Sequence, residues 1–489
     1  MSLDFLQPTS AESAHTVSIQ SADSAANIGS SLGSLIRPIS SSTQLTRPAR
    51  IQRTPLAKKR GVRGPFKTTE ERLETGLTRQ IGACIRCIKQ KARCVRDPDN
   101  PDGECLTCKR VSAPRLIHYP CLRKRLTDTS YVTAKSDPGL FWTKRWKSLD
   151  VVDINHWASP EVKMIELTQA NSSLRWAFRV RQFVPQEGDS LERTWLSKQT
   201  GDRNYHPVTP YGLLSMKEAA KSFSKSLDND MDIIIDEIAG VEKTWLAETY
   251  RMAHKHSKEA ESREERELLV DVLKLRAMSL VQSRSERICN IETLGIDPQL
   301  QDPNRHDYGH IPVPPVISAQ ITIIAETLFF RPLQIQIRKR LDRLIGTKNS
   351  GAWFTTYLVC MLLLHNCALI TGYNFRKAKN LRLSQRYAAA DVLRDLHGSA
   401  NILLTYYHCC VKANVPFAAG WKSPRDIEAA KLTMDKVDFL VWSYQESRRL
   451  APLFQEIKES NMFHHEYYFI SQLFDDQWVL PTATIASVQ

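Results

Sequence analysis

The sequence of 489 residues lacks the best-known catalytic signatures. It has no G-x-x-x-x-G-K-[ST] phosphate loop, no H-E-x-x-H zinc-protease motif, no G-x-S-x-G nucleophile turn and no G-x-G-x-x-G dinucleotide fingerprint. These absences remove the most easily recognised enzyme classes, so we expect the chain not to be an enzyme. An enzyme housed in the helical region without a known motif stays open as an alternative.

The amino terminus lacks the basic start and the continuous apolar stretch that a secretory signal needs. The cysteines do not form a secreted disulfide framework either, because six of the 11 lie between Cys84 and Cys121. We therefore expect the protein to reside in a reducing compartment of the cell. The segment 349–375 has no charged residue, but polar side chains such as His365 and Asn366 interrupt it, so it predicts a buried core helix and no membrane partner.

Acidic residues are outnumbered, and the deficit is local. The chain has 67 Lys and Arg against 53 Asp and Glu, for a net charge of +14. Residues 1–130 alone carry 22 basic and 11 acidic residues, so most of the surplus belongs to the first quarter of the chain. A surplus of this size usually indicates a polyanionic partner such as DNA.

Composition divides the chain into five segments. We expect a disordered Ser-rich tail (1–46), a basic arm with a candidate nuclear import signal (47–83), a cysteine module (84–126), a partly ordered linker (127–211) and a helical regulatory region (212–489). Lys58-Lys59-Arg60 would suit an import receptor or DNA phosphates, and a merely solvated linker is the alternative.

Helical spacing of apolar residues dominates the last segment. It is clearest in three sets, which are Ile234, Ile238, Val241 and Trp245; Leu268, Val272 and Leu275; and Ile317, Ile321, Ile324 and Leu328. We find no alternating strand pattern that competes with it. The predicted fold class is therefore a small metal-stapled module followed by a large, mostly α-helical carboxyl-terminal region, after a disordered amino terminus.

The cysteines of the module form two similar halves. Each half has a Cys-x2-Cys pair and then a third cysteine, and the six are Cys84, Cys87, Cys94, Cys105, Cys108 and Cys121. Six thiolates are too few for two separate four-sulfur zinc sites, but they suffice if the first cysteine of each half bridges both ions. A redox Cys-x2-Cys pair and two unrelated zinc knuckles are the alternatives.

This spacing resembles the motif of the fungal binuclear zinc-cluster (Zn2Cys6) transcription factors, over the cysteine segment only. The resemblance implies two Zn²⁺ ions bridged by Cys84 and Cys105, with Cys87 and Cys94 completing one site and Cys108 and Cys121 the other. The chain departs from the family in the last interval, because the 12 residues between Cys108 and Cys121 exceed the usual arm. Either this arm loops out, or His118 replaces Cys121 as a ligand.

Basic side chains crowd the first half of the module. In the family, a helix after the second cysteine enters the major groove, and the Lys four residues after that cysteine reads base edges, which here is Lys91. The family's preference for CGG-type triplets is consistent with a cationic donor facing guanine. We expect phosphate contacts from Arg86, Lys89, Arg93 and Arg123. The alternative is that these charges only balance the thiolates.

The residues after the module start no sustained heptad, because the polar stretch 127–136 and Pro138 interrupt it, so a coiled-coil dimer is not supported. We expect a nuclear, sequence-specific DNA-binding transcription regulator. Its expected partners are double-stranded DNA and a nuclear import receptor, with the transcription machinery as a further candidate. The alternative is a zinc-stapled interaction or RNA-binding protein without base selection.

Overall fold

The computed structural model describes residues 68–101, 103–110, 120–132, 142–146, 148–169, 172–197, 201–303, 305, 307–346, 352–408, 427–428, 432–475 and 478–480. The expected disordered tail and most of the expected basic arm, including Lys58-Lys59-Arg60, lie outside these ranges. Among the described residues, those from Thr68 to Gln80 and those from Ile81 onward belong to separate compact units.

Helices make up most of the described chain, which confirms the expected helical character of the carboxyl-terminal region. They are α1 (Thr69–Ile81), α2 (Ile85–Gln90), α3 (Leu106–Lys109), α4 (Met216–Asn229), α5 (Met231–Ala239), α6 (Trp245–Glu259), α7 (Arg263–Ser283), α8 (Pro315–Ile324), α9 (Arg331–Gly346), α10 (Trp353–Asn380), α11 (Ala390–Tyr406), α12 (Met434–Arg449), α13 (Ala451–Glu459) and α14 (Tyr468–Ser471). A π-helical segment, Ala325–Phe330, joins α8 to α9, and 3-10 turns lie at Leu126–Asp128 and Gln472–Phe474.

Strands of β-structure occur in the region expected to be a linker and also in the region expected to be helical. The strands are β1 (Trp157–Gln169), β2 (Trp176–Phe183), β3 (Glu192–Leu196), β4 (Arg203–Pro207), β5 (Tyr211–Leu213), β6 (Glu286–Ile288) and β7 (Ile311–Pro312). They form a five-stranded antiparallel sheet in the order β5-β2-β1-β6-β7 and a separate β3–β4 hairpin. The expectation of no strand pattern was therefore wrong for these residues. The partly ordered linker over 127–211 stays a prediction.

The sequence of β2 explains why it is a strand. Trp176, Phe178 and Val180 are buried, whereas Ala177 and Arg179 between them are exposed, as expected of a strand with one face on a core. Phe223 of α4 packs on this face, with its ring centroid 5.4 Å from those of both Trp176 and Phe178. Burying such large rings stabilises the layer by about 1.5–3 kcal/mol each.

A buried glutamine connects the edge strand β5 to the helical layer. Gln320 of α8 accepts a hydrogen bond from the Leu213 nitrogen at 2.7 Å and donates one to the Leu213 oxygen at 3.2 Å. A Cβ on Gly212, beside it, would lie 2.6 Å from Ile154 Cδ1, so a larger residue there would force the Ile154 side chain to move. The edge of the sheet is thus closed by a side chain rather than by another strand.

Helix α10 lies in the core of the helical layer, as the segment 349–375 predicted. Its residues from Trp353 to Ala368 are all buried. The polar ones among them have partners: His365 Nδ1 lies 2.9 Å from Tyr250 Oη, and Thr355 Oγ1 lies 2.9 Å from His256 Nε2. By length and apolar composition, Pro315–Gly346 and Trp353–Asn380 could each cross a membrane, but both are mostly buried, as core helices of soluble proteins are.

Two expected helical stretches are interrupted in the structure. Gly240, with φ 69°, ends α5, so Val241 is exposed and Trp245 begins a new helix. The π-helical segment interrupts the second stretch, and Leu328 is 38% exposed although Ile317, Ile321 and Ile324 are buried. Pro332 lies just beyond, and its missing N–H together with the clash of its ring with a preceding carbonyl accounts for the wider turn.

A buried ion pair tests whether the part of the protein around Arg145 and Asp189 is as tightly packed as the structure indicates. Asp189, whose side chain is 0% exposed, accepts hydrogen bonds from Thr143 Oγ1 at 2.6 Å and from Arg145 Nη2 at 2.6 Å. Asp189→Asn should lower the free energy of unfolding by about 3 kcal/mol or more, because it leaves the guanidinium of Arg145 buried without a counter-charge. Urea denaturation monitored by tryptophan fluorescence measures this change.

The matched control is Glu218→Gln, which breaks the Arg179–Glu218 pair, where the two side chains are 49% and 51% exposed. Its cost should be below about 1 kcal/mol, since exposed pairs contribute little. Equal, small effects of the two substitutions would contradict the packing described for residues 142–189.

Candidate metal centre and nucleic-acid interface

The two halves of the cysteine module fold in the same way. Cys84 and Cys105 each lie immediately before a short helix. The backbone of both cysteines is extended, with φ/ψ of −67°/157° and −69°/151°. Each accepts on Sγ the N–H of the cysteine three residues later, Cys87 at 3.4 Å and Cys108 at 3.3 Å. Cysteine therefore takes the N-cap role of serine or aspartate, and its sulfur is fixed beside the second sulfur of its pair.

The third cysteines of the two halves also occupy equivalent positions. Cys94 Sγ accepts the N–H of Cys84 at 3.5 Å, and Cys121 Sγ accepts the N–H of Cys105 at 3.3 Å. The longer interval before Cys121 therefore does not displace its sulfur from the position that Cys94 has in the first half. His118, the substitute considered from the sequence, lies outside the described residues.

The sulfur atoms are spaced as ligands of a metal ion. Cys84 Sγ lies 3.5 Å from Cys108 Sγ, and Cys87 Sγ lies 3.7 Å from Cys105 Sγ and 3.8 Å from Cys108 Sγ. All four sulfurs lie within 4.8 Å of one another and are buried. A tetrahedron with zinc–sulfur bonds of about 2.3 Å has edges of about 3.8 Å. These four closely spaced cysteines could hold a metal ion.

The thiol pKa values show why a cation would be favourable here. The hydrogen bond between Cys84 and Cys121 lowers the pKa of Cys121 to about 5 and raises the pKa of Cys84 far above its usual range. Burial raises the pKa of Cys87 to about 12. Without a cation, the cluster keeps protons between its sulfurs because several buried thiolates would repel one another. A metal ion would take the place of those protons.

Lys91 lies at the carboxyl end of α2 and is exposed. Its backbone adopts the left-handed conformation, with φ 52°, and its N–H donates to the Ile88 oxygen at 3.1 Å. Ile88, three residues earlier in the sequence, is a large apolar side chain that is also exposed. Arg93 follows on the surface. Lys89 belongs to α2, but its side chain lies outside the described part of the structure.

Arg86 and Arg123 were expected to contact DNA phosphates, but in the structure their side chains hold the module together. The Arg86 side chain is 5% exposed and donates to Glu104 Oε1 at 3.0 Å and to the Cys108 oxygen at 3.4 Å. Arg123 Nη1 donates to the Gly103 oxygen at 3.0 Å. In this conformation both guanidinium groups face the protein, because the two halves offer them an acid and free carbonyls.

Acidic residues of the module were not singled out in the sequence, yet they position its cations. Asp97 is buried and accepts from Lys109 Nζ at 2.5 Å, which lowers the pKa of Asp97. Glu104 pairs with Arg86 as described above. The signal in the sequence is the acidic stretch 97–104 within an otherwise basic module. Asp97 and Glu104 thus form ion pairs that connect the two halves, and one partner of each pair is buried.

Comparison with known protein families finds a match for the carboxyl-terminal part of the chain. The family model described as the KpeA transcription factor matches residues 137–473. The match covers more than half of the 489 residues and begins after the last cysteine of the module. No curated protein and no solved structure matches the chain.

The position of Arg86 generates a prediction about the module. Arg86→Met should speed the amide exchange of residues 104–108 about fivefold, because it removes about 1 kcal/mol of charge-assisted hydrogen bonding between the halves. Hydrogen–deuterium exchange with mass spectrometry measures it. Arg96→Met is the control, since Arg96 Nε donates to the Pro101 oxygen at 2.7 Å in an exposed loop. Equal exchange in the two variants would contradict the scaffolding role of Arg86.

Proposed function

Since the chain belongs to the KpeA transcription factor family, we propose that it is a nuclear, sequence-specific DNA-binding regulator whose cysteine module binds two zinc ions. The family match lies outside the module, so the DNA-binding role rests on the module's own residues. The observation that carries it is the equivalence of the two halves, in which six cysteines repeat the same three positions.

The two-zinc arrangement follows from that equivalence. Each half supplies an N-capping cysteine, a second cysteine three residues later and a third that accepts the N–H of the first. If Cys84 and Cys105 bridge, Cys87 and Cys94 complete one tetrahedron, and Cys108 and Cys121 complete the other. A donor set of thiolates alone suits zinc in a structural site.

A single zinc ion is the competing arrangement. The four sulfurs that all lie within 4.8 Å of one another belong to Cys84, Cys87, Cys105 and Cys108, which are the two Cys-x2-Cys pairs alone. The contact of 3.8 Å between Cys87 and Cys108 joins sulfurs that the two-zinc arrangement assigns to different ions. We favour two ions because a single site would leave Cys94 and Cys121, which hydrogen-bond into the cluster, without a role.

Lys91 is the residue that we propose reads base edges. It combines exposure, a fixed place at the end of a helix and a backbone conformation that costs a lysine on the order of 1 kcal/mol. Strain of this kind is retained where the side chain has a use. A Lys ammonium suits the O6 and N7 acceptors of guanine in the major groove, and the exposed Ile88 would suit a thymine methyl group.

Phosphate contacts are proposed for the cations on the outer surface. Arg93 and Lys124 are exposed, and Lys89 of α2 stays in this group from the sequence pattern. Arg86 and Arg123 are left out because of their contacts within the module. No catalytic role is proposed for a member of a transcription factor family. An import receptor for the basic arm and contacts with the transcription machinery stay expectations of the sequence.

The rival function is a zinc-stapled interaction or RNA-binding protein. It would use the same surface cations without base selection, so its affinity would depend on salt but hardly on sequence. Competition between a triplet-containing duplex and a scrambled duplex of equal length separates the two functions.

The metal content provides the first test. Native mass spectrometry of the zinc-loaded full chain should show two zinc ions, and Cys121→Ser should show one. Cys105→Ser should lose both, since a bridging sulfur serves both ions, and chelation should unfold the module, whose metal contributes on the order of 10 kcal/mol. Cys289→Ser, outside the cluster, is the control. One zinc in the unmodified chain, unchanged in Cys121→Ser, would refute the shared sulfurs.

Base reading by Lys91 provides the second test. Lys91→Gly removes the ammonium and relieves the left-handed backbone, so zinc content should be kept. The variant should bind the preferred duplex about 1–3 kcal/mol more weakly while scrambled duplexes are barely affected. Arg93→Ala should weaken all duplexes alike and flatten the slope of log affinity against log salt by about 0.9. Equal losses on both duplexes in Lys91→Gly would favour the rival function.

A further inference from the structure

The segment Leu126–Val132, called the anchor segment below, follows the last cysteine of the module by only five residues. Leu126, Tyr131 and Val132 are buried in the same core as helices α9, α10 and α11. Tyr131 is among the large side chains of the protein that are fully buried. A segment expected to be part of a linker is therefore packed inside the domain that the family match identifies, although it precedes the matched residues.

Side chains from three helices hold the backbone of the anchor segment. On α9, Gln334 Oε1 accepts from the Tyr131 nitrogen at 3.0 Å, and Arg338 Nη1 donates to the Thr129 oxygen at 2.8 Å. On α10, Asn366 Nδ2 donates to the Tyr131 oxygen at 2.9 Å.

The third helix completes this set. Ser399 of α11 accepts on Oγ the N–H of Ser130 at 2.8 Å, and the Ser130 hydroxyl donates to Gln334 Oε1 at 3.0 Å. Backbone groups of an exposed connection would bond to water, whereas here they bond to the helices. Each of these hydrogen bonds contributes about 1 kcal/mol, and together they fix the anchor segment in one position.

The other end of the connection is tied to the module. The Leu122 oxygen accepts the N–H of Ile85, the first residue of α2, at 2.8 Å. Arg123 bonds the Gly103 oxygen, and the Arg125 nitrogen donates to Asp128 Oδ2 at 2.9 Å. From Cys121 to Val132 the chain therefore has no stretch without structural contacts.

We propose that the anchor segment fixes α2, and with it Lys91, in one orientation relative to the helical domain. Gln334 is the positioning residue of this connection, because it receives two hydrogen bonds from the anchor segment. A change in the packing of α9, α10 or α11 would then reach the DNA-reading helix through Ser130, Leu122 and Ile85. The effect on DNA binding rests on the proposed function, but the fixed orientation does not.

The orientation can be measured without DNA. Spin labels attached to non-natural residues at the exposed positions Arg110 and Lys339 leave the cysteines unmodified. Pulsed electron–electron double resonance then gives the distribution of distances between the two labels. We expect one narrow distribution in the zinc-loaded full chain. A six-residue Gly-Ser insertion after Lys124 should broaden it several-fold, and so should Gln334→Ala. Gln334→Glu, which keeps an acceptor oxygen beside Arg338, should restore the narrow distribution.

A distribution as broad in the unmodified chain as in the insertion variant would overturn the proposal. So would a Gln334→Ala variant with full zinc content and an unchanged narrow distribution.

Duplex binding separates this proposal from the proposed function. Gln334→Ala should weaken binding of a triplet-containing duplex about fivefold at unchanged zinc content, since the module must then be ordered on binding. The same substitution should have no effect in the insertion variant, where the connection is already released. Equal weakening in both backgrounds would contradict the positioning role. A narrow distance distribution without any duplex binding would refute the proposed function and leave the fixed orientation standing.

Discussion

The cysteine module depends on the interactions of its sulfur atoms. Among its described residues 84–110, the buried side chains are the five cysteines, Ile85, Arg86 and Asp97, so the module has almost no apolar core. Burial raises the pKa of Cys87 to about 12, so this thiol resists deprotonation when no cation is bound. Bound metal would supply the free energy that apolar burial supplies elsewhere in the protein.

The remainder of the protein is stabilised by different physics. Its core runs from the β2 face under Phe223 through the buried helix α10 to the aromatic residues of α14. The anchor segment contributes Leu126 and Tyr131 to this core while its preceding residues bond to the module. The cysteine module and the hydrophobic domain are thus connected by a segment that both hold in place, and the family match places the domain among transcription factors.

The sequence was sufficient to predict a cluster of cysteines and the helical character of the carboxyl-terminal region, because both depend on local spacing. It missed β2, although Trp176, Phe178 and Val180 alternate with exposed residues, since helical periodicity elsewhere set the interpretation. It could not place Leu328, whose exposure follows from a π-helical turn, or Arg86, whose burial depends on Glu104 across the module. The position of the Cys121 sulfur likewise depends on tertiary contacts, because the long interval between Cys108 and Cys121 has no sequence pattern that predicts it.

X-ray absorption at the zinc edge tests the central claim, that two zinc ions share thiolates and hold α2 for DNA, most directly. The full chain loaded with two equivalents of zinc should show four sulfur neighbours at about 2.3 Å and no nitrogen, together with a second zinc within about 4 Å. A sulfur shell without a zinc neighbour, or a shell that includes nitrogen, would contradict the shared cluster and with it the proposed support of the DNA-reading helix.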